Sequence, residues 1–398
     1  MTHLKSGTPG MTILLGLLTA IGPLSTDMYL PSLPSIQQHF GATAGQAQWT
    51  LSAYLLGFAL GQVFYGPLSD RRGRKRVMLI GLTLYALANF ASAMAPSLEV
   101  LIAARFLQGV GAAGPMVLAR AIVRDLHEGR EAGQQLARMG TIMGIVPAIA
   151  PMLGAGIEIL SGWRMNFLAV VFLAIALGIA VVRRLPETLK QPLFSPFSVR
   201  EIMRGYGELC RDGRFTSFAV LSAVTYAGLF AFISGSSFVI QGHFGLSPAG
   251  FAAAFGVMVL GYILGTVIAQ KVVASKGSLR AIEIGTVLQA VAGLALLGFS
   301  FVMPYWLAGL VVPMAFYAMG VGFTLPQSAA GALMPFPDRA GSVSSLLGIM
   351  QMSFAALVGA LVGAFVAQSP VALTAATALM GLIGLATLPA IRRVSPFS

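Results

Sequence analysis

Apolar runs of about 20 residues recur along the whole chain, separated by short polar turns. A helix of that length, rising about 1.5 Å per residue, matches the roughly 30 Å hydrocarbon core of a bilayer. The pattern predicts twelve membrane-spanning helices, near residues 11–36, 48–67, 77–95, 99–119, 137–159, 165–182, 215–237, 249–270, 279–300, 304–328, 341–365 and 370–391. The fold class is therefore all-α and polytopic, because a transmembrane β-barrel would show short alternating segments instead. The longest polar stretch between spans, about 183–214, holds Arg183, Arg184, Lys190, Arg200, Arg204, Arg211 and Arg214. It divides the chain into a six-helix bundle over 1–183, a central cytoplasmic loop over 184–213 and a second six-helix bundle over 214–398.

Small residues support a duplication. Gly109-Val110-Gly111 with Pro115 in span four matches Gly320-Val321-Gly322 with Pro326 in span ten at an offset of 211 residues. Glycine pairs at i and i+4, Gly57/Gly61, Gly140/Gly144, Gly261/Gly265 and Gly359/Gly363, fall in the middle helix of each consecutive three. Glycine at this spacing lets helix backbones approach closely. Four quasi-equivalent close-packing helices are expected, at the seam of the halves.

Composition narrows the class. The chain is 57% hydrophobic and 10% charged with mean hydropathy +0.83, against about 25% charged in soluble domains. A net charge of +12 would suit nucleic acid, but its placement excludes that reading. With the N-terminus in the cytoplasm, all of the 25 Lys and Arg except Arg105 and Arg164 fall on the cytoplasmic side. The charge is a topology signal, and both termini are expected in the cytoplasm. Lys5 and the apolar run from Met11 read as an uncleaved first span. The single cysteine, Cys210, excludes an intrachain disulfide. His3, His39, His127 and His243 lie outside the spans or at their edges, with no metal-ligand or nucleophile–base spacing. No phosphate-binding Gly-x4-Gly-Lys-Ser/Thr loop appears. A membrane enzyme, an ATP-driven pump and a metal site are thus disfavoured, and the duplicated halves argue against a channel.

Two features carry chemistry. The first is Asp27, an acid inside span one and a functional candidate by default. Burial disfavours its ionised form and a nearby cation favours it, so such an acid can trade a proton for a substrate. Asp27 lies about 24 Å along span one and Arg105 about 9 Å along span four from the opposite direction, which places both in the outer half. Glu158 and Glu283, near span ends, read as interfacial acids. The second is the run Gly66 to Arg76 between spans two and three, an acid followed by basic residues punctuated by glycine. Asp70 can attract the positive end of a neighbouring helix. Arg71 and Arg74 can pair with Asp125 after span four, a latch that forms while the cytoplasmic ends are together. Tyr29, Tyr54, Gln108, Met116, Met143, Tyr226, Phe230, Phe316, Tyr317 and Gln351 are the aromatic, sulfur-bearing or polar residues available to line a pliant substrate cavity.

Gly66-x-Leu68-x-Asp70-Arg71-x-Gly73-Arg74-Lys75-Arg76 between two six-helix halves resembles the signature of the major facilitator superfamily. Further stretches are similar to the Bcr/CflA group of bacterial drug:proton antiporters: Pro23 to Pro34 in span one, Arg105-Phe106-Leu107-Gln108-Gly109, Pro147 to Gly154 in span five, Gly162-Trp163-Arg164 and Leu185-Pro186-Glu187-Thr188-Leu189. The second-half counterpart of the basic loop, Gly265 to Lys271 with Lys276 and Gly277, lacks an acid equivalent to Asp70. The resemblance implies a multi-pass protein of the bacterial inner membrane that exports small amphipathic drugs, of bicyclomycin or chloramphenicol type, by alternating access. It implies protons as the coupling ion, no other cofactor, and a monomer. It places Arg105 with Asp27 in proton coupling, Gly66, Asp70, Arg71, Gly73, Arg74 and Asp125 in a conformational latch, and Pro147, Pro151 and Gly154 in bending or sealing span five. A single coupling carboxylate favours neutral or monocationic substrates: exchange of one proton for a neutral drug moves one charge, worth about 2.3 kcal/mol per 100 mV. An exporter of one metabolite, such as a sugar or amino acid, is the alternative.

Overall fold

The computed structural model describes residues 8–127, 129–189, 199–366 and 369–396, and all regular elements among them are helical. His3, Lys5 and Lys190 lie outside the described residues. The helices are α1 Pro9–Asp27, α2 Leu33–His39, α3 Ala44–Arg72, α4 Arg74–Ala93, α5 Leu98–Leu126, α6 Gly129–Ser161, α7 Trp163–Arg184, α8 Val199–Arg211, α9 Gly213–Ser237, α10 Pro248–Val302, α11 Leu307–Leu333, α12 Ala340–Val366, α13 Val371–Ala386 and α14 Leu388–Val394. Their ends follow local chemistry. Pro9 and Pro248 start helices, where the missing N–H costs nothing. Ser97 and Ser247 cap α5 and α10, accepting from Val100 N and Gly250 N. Asp212 caps α9 through Arg214 N at 2.8 Å, and the bonded Arg214 guanidinium holds its carboxyl below the usual range.

Among the described residues, eleven helical stretches are long and apolar enough to cross a membrane. One of them, α10, has 55 residues, about 80 Å of helix and far more than one crossing needs. It is broken at Gly277, whose φ of 81° and ψ of 165° only glycine adopts without strain. The two arms coincide with the expected spans 249–270 and 279–300, which gives twelve crossings. Large apolar side chains left in the open, such as Phe172 at 69% and Leu87 at 64% exposure, suit helix faces turned to lipid rather than water.

The chain forms two compact units, Met1–Ile36 with Ala53–Phe197, and Gln37–Ser52 with Ser198–Ser398. In the first, α1 packs on α5 and α6, and α4 packs on α5 and α7. In the second, α9 packs on α11, α12 and α13, and α10 packs on α11 and α13. The stretch Gln37–Ser52 belongs to the second unit, where Ser52 Oγ donates to the Ala356 carbonyl at 3.1 Å.

The glycine pairs divide into two kinds. Gly57 and Gly61 on α3 lie against the backbone of Phe106 and Val110 on α5. Gly261 and Gly265 on α10 lie against the backbone of Ala315 and Met319 on α11. These are contacts within each unit. Gly140 and Gly144 have nothing within 4 Å of a Cβ position, while Gly359 and Gly363 face the side chains of Phe230 and Gln48. Spacing alone therefore overstated the rule: the glycines act where a helix crosses its neighbour at the backbone.

These contacts also set the register of the repeat. Gly81 on α4 meets the Gly111 carbonyl, and Gly285 on α10 meets the Gly320 carbonyl. Gly111 and Gly320 are the structural counterparts, two positions away from the alignment that the Gly-Val-Gly match suggests. In this register Met314 stands where Arg105 stands, and Tyr317 where Gln108 stands.

Gly57→Leu is expected to push α3 off α5 and destabilise the protein by about 1–3 kcal/mol, seen as a lowered Tm in detergent. Gly140→Leu, which meets nothing, is expected to leave the Tm unchanged.

Candidate functional site

The polar interior of the first unit is built around Arg105. Its side chain is fully buried. Gly109 and Gly111, one and two turns on, let the backbones of α3 and α4 close around this part of α5. Arg105 Nη1 donates to Gln108 Oε1 at 2.7 Å and to the Ser25 carbonyl at 3.4 Å. The guanidinium lies over the rings of Tyr29 and Tyr54, 4.5 and 4.6 Å from their centroids, with Phe167 at 5.8 Å. Gln108 Nε2 donates to Asn89 Oδ1 at 2.8 Å, and Asn89 Nδ2 donates to the Tyr85 carbonyl at 2.8 Å. The Tyr85 hydroxyl bonds to Ser25 Oγ, and the Tyr54 hydroxyl donates to the Gly22 carbonyl at 3.0 Å. Tyr29, Tyr54 and Gln108, expected in the substrate cavity, contact this charge.

Asp27 is the last residue of α1 and is 6% exposed. Its carboxylate accepts from Thr26 Oγ1 at 3.1 Å, and no cation among the described residues pairs with it within 4 Å. Asp27 and Arg105 are thus neighbours that do not touch. Arg105 contacts the Ser25 carbonyl near the end of α1 and the Tyr29 ring in the turn after it. Asp27 lies midway, about 200° around the helix from Ser25, and points elsewhere. Rise along the axis brings the two to neighbouring levels of the bundle; rotation about the axis separates their side chains.

The basic loop is tied within the first unit. Gly73, with φ of 92°, starts α4 without a side chain to cap it. Glu187, beyond α7, supplies the cap: its carboxylate accepts from Arg74 N at 2.8 Å and Lys75 N at 3.1 Å. Such a carboxylate satisfies orphan N–H groups and suits the positive helix end. Arg74 pairs with Asp70, donates through Nε to Asp125 Oδ2 at 2.9 Å and through Nη1 to Ser69 Oγ at 2.5 Å. Thr188 Oγ1 donates to the same Asp125 oxygen at 3.0 Å. Arg74 takes the expected pairing with Asp125, but Arg71 does not: its Nη1 donates to the Pro67 carbonyl at 3.3 Å. All partners in this cluster belong to the first unit, so the Arg74–Asp125 pair needs no contact with the other half. Gly66 has open space around it and accepts from Ser69 Oγ at 2.7 Å.

Helix α6 runs unbroken through Pro147 and Pro151. Gly154 is where α6 crosses the Met28 backbone, directly after Asp27. Of the remaining cavity candidates, Phe230 and Tyr317 are buried, Tyr226 stacks on Phe230, Phe316 is 48% exposed, and Met116 and Met143 are half-buried. Gln351 Nε2 donates to Ser222 Oγ at 2.7 Å. It adjoins a groove of about 380 Å³ between α9 and α12, lined by Val220, Val224, Met350, Phe354 and Leu357 with Ser353 as the polar member. Glu283 pairs with Arg280 and Arg392 at 2.8 and 2.7 Å.

Sequence reasoning missed Asn89, Tyr85 and the role of Glu187. Asparagine in an apolar span was the available signal for Asn89. For Glu187 it was the Leu-Pro-Glu-Thr-Leu run.

A family model described as Major Facilitator Superfamily matches residues 15–360. The chain is 35% identical to an uncharacterized MFS-type transporter, YdgK, of Bacillus subtilis (strain 168), covering 91% of each chain. It is 30% identical to a chloramphenicol resistance protein of Pseudomonas aeruginosa, covering 93% of this chain and 89% of that one. Its fold matches the crystal structure of a D-xylose-proton symporter with a TM-score of 0.75 at 15% identity, over 97% of both chains.

Glu187→Ala is expected to cost on the order of 1 kcal/mol, the size of a lost N-cap. Trypsin should then cut the Arg71–Arg76 segment faster, while Glu187→Asp restores part of the protection.

Proposed function

This chain belongs to the major facilitator superfamily, and on that footing we propose that it exports small amphipathic drugs, neutral or monocationic, in exchange for protons. The observation that carries the reading is Asp27: a buried carboxyl in a membrane-spanning segment with no cation among the described residues paired to it. An ionised carboxylate without a partner is costly in such surroundings, and taking up a proton removes its charge. The fully buried Arg105, which contacts Ser25 and Tyr29 two positions either side of Asp27, supports a coupling role. The chloramphenicol resistance relative supports a Bcr/CflA-type drug exporter.

In the cycle we infer, substrate enters a cavity open to the cytoplasm or inner leaflet and favours loss of the Asp27 proton. The protein then opens outward, substrate leaves, and Asp27 is reprotonated from outside. The Asp70–Arg74–Asp125 cluster with its Glu187 cap keeps the basic end of the first unit stiff while the units move. Arg74 is buried between the partly buried Asp70 and Asp125 in this cluster. The basic residues support a cytoplasmic position for both termini, in a bacterial inner membrane. Protons serve as the coupling ion with no other cofactor, and the working unit is a monomer.

In inverted membrane vesicles, Asp27→Asn is expected to abolish drug accumulation driven by a proton gradient while leaving drug–drug exchange intact. Retained uphill transport would remove Asp27 from the mechanism. Arg105→Met, which installs the residue of the second half, is expected to reduce proton-driven transport by at least about 100-fold, the scale of losing about 3 kcal/mol of buried interaction.

A further inference from the structure

Glu158 lies one turn beyond Gly154 on α6, at the end of the first unit away from the basic loop. Its Oε2 accepts from Ser32 Oγ at 2.5 Å, and Ser32 Oγ accepts from Asn166 Nδ2 at 2.9 Å. Asn166, on α7 and 3% exposed, gives its other Nδ2 hydrogen to the Gly154 carbonyl at 3.2 Å. The chain of bonds joins the turn after α1, the end of α6 and the start of α7.

The direction at Asn166 is fixed. A flipped amide would set the Asn166 oxygen against the Gly154 carbonyl, two acceptors facing each other, so Nδ2 donates to both. Ser32 Oγ is then already an acceptor, and its one hydrogen goes to Glu158. An ionised carboxylate completes the series. A proton on Oε2 turns the bond round, so that Glu158 donates to the second lone pair of Ser32 Oγ and the serine hydrogen loses its carboxylate partner; a proton on either oxygen removes the charge that strengthens the bond. Either way protonation weakens the chain. The chain also sits beside the coupling acid, because Gly154 packs on the backbone of Met28, the residue after Asp27.

The charged and titratable groups on elements packed against α6 near this end are Asp27 and Tyr29 on α1 and the turn after it, Glu99 and Arg105 on α5, and Arg164 on α7. Asp27 accepts from Thr26, and Arg105 lies between Tyr29 and Tyr54. Arg164 stacks on Trp163 at 4.2 Å and donates to the Ala95 carbonyl, and Glu99 lies in the first turn of α5. None of these cations forms an ion pair with Glu158 within 4 Å.

We propose that Glu158, Ser32 and Asn166 form a proton-controlled clasp: ionised Glu158 fastens the end of α1 to α6 and α7, and protonated Glu158 releases it. Resting on the proton-coupled export reading, the clasp lets a proton arriving from outside loosen the turn that follows Asp27. Glu158 acts here as a positioning residue, through Ser32.

The test is hydrogen exchange on the purified full chain between about pH 8 and about pH 4, corrected for the intrinsic exchange rate. Protection of the amides over 28–34 is expected to fall roughly tenfold in wild type at the acid end, the scale of a lost bond to a charged group. In Glu158→Gln, and in Ser32→Ala, which keeps the carboxylate but removes its link, protection should be flat with pH. In Asp27→Asn the fall should persist. A flat wild type, or an undiminished fall in Glu158→Gln and Ser32→Ala, overturns the clasp. Uphill drug export by Asp27→Asn would overturn the export reading alone, since the exchange measurement needs no transport.

Discussion

The interior of the first unit depends on burying the positive charge of Arg105 among neutral groups. Taking a guanidinium out of water costs several kcal/mol even after relaxation. Charge-assisted hydrogen bonds and desolvated aromatic faces, each worth about 2 kcal/mol, offset that cost. Here the Gln108 amide, the Ser25 carbonyl and the rings of Tyr29 and Tyr54 serve. These groups come from α1, α3 and α5, and Asn89 and Tyr85 extend the network into α4. The helices can gather this closely because Gly57, Gly61, Gly109 and Gly111 carry no side chains where their backbones cross. Packing and electrostatics are one constraint: a larger residue at a crossing also moves a partner of Arg105.

That constraint is absent from the second unit. In the register set by the Gly81–Gly111 and Gly285–Gly320 contacts, Met314 occupies the position of Arg105 and Tyr317 that of Gln108. Both are fully buried. The duplicated helices have kept their crossings and lost the charge. The apolar groove between α9 and α12, with Ser353 as its polar member, belongs to this half. Under the proposed function the first unit handles the proton, and the second offers apolar surface to an amphipathic drug.

Much of the architecture was legible because hydropathy and charge report directly on a bilayer. The twelve crossings emerge from run lengths, and Gly277 breaks α10 where the sequence separates two spans. Asp27 and Arg105 were legible as costly residues in apolar surroundings, and axial rise brings them to neighbouring levels of the bundle. Rotation about α1 was not legible, because the sequence does not say which face of the helix meets α5. The cavity candidates Tyr29, Tyr54 and Gln108 illustrate the same limit: residue type showed that they needed polar or aromatic company, and only the packing shows that the company is Arg105. The repeat alignment failed by two residues because Gly-Val-Gly matches letters, whereas the structure conserves the glycine that meets the third helix of its bundle. Glu187 was visible as part of a run, but its use as a cap for α4 depends on a contact across more than a hundred residues of chain.

The central claim is that Asp27 exchanges a proton for substrate. Proton release from purified protein in weakly buffered detergent, on addition of a panel of neutral and monocationic drugs, tests it most directly. The account predicts release from wild type with at least one drug and none from Asp27→Asn with the same drug bound. Equal release from both proteins would contradict it and place the exchanged proton elsewhere.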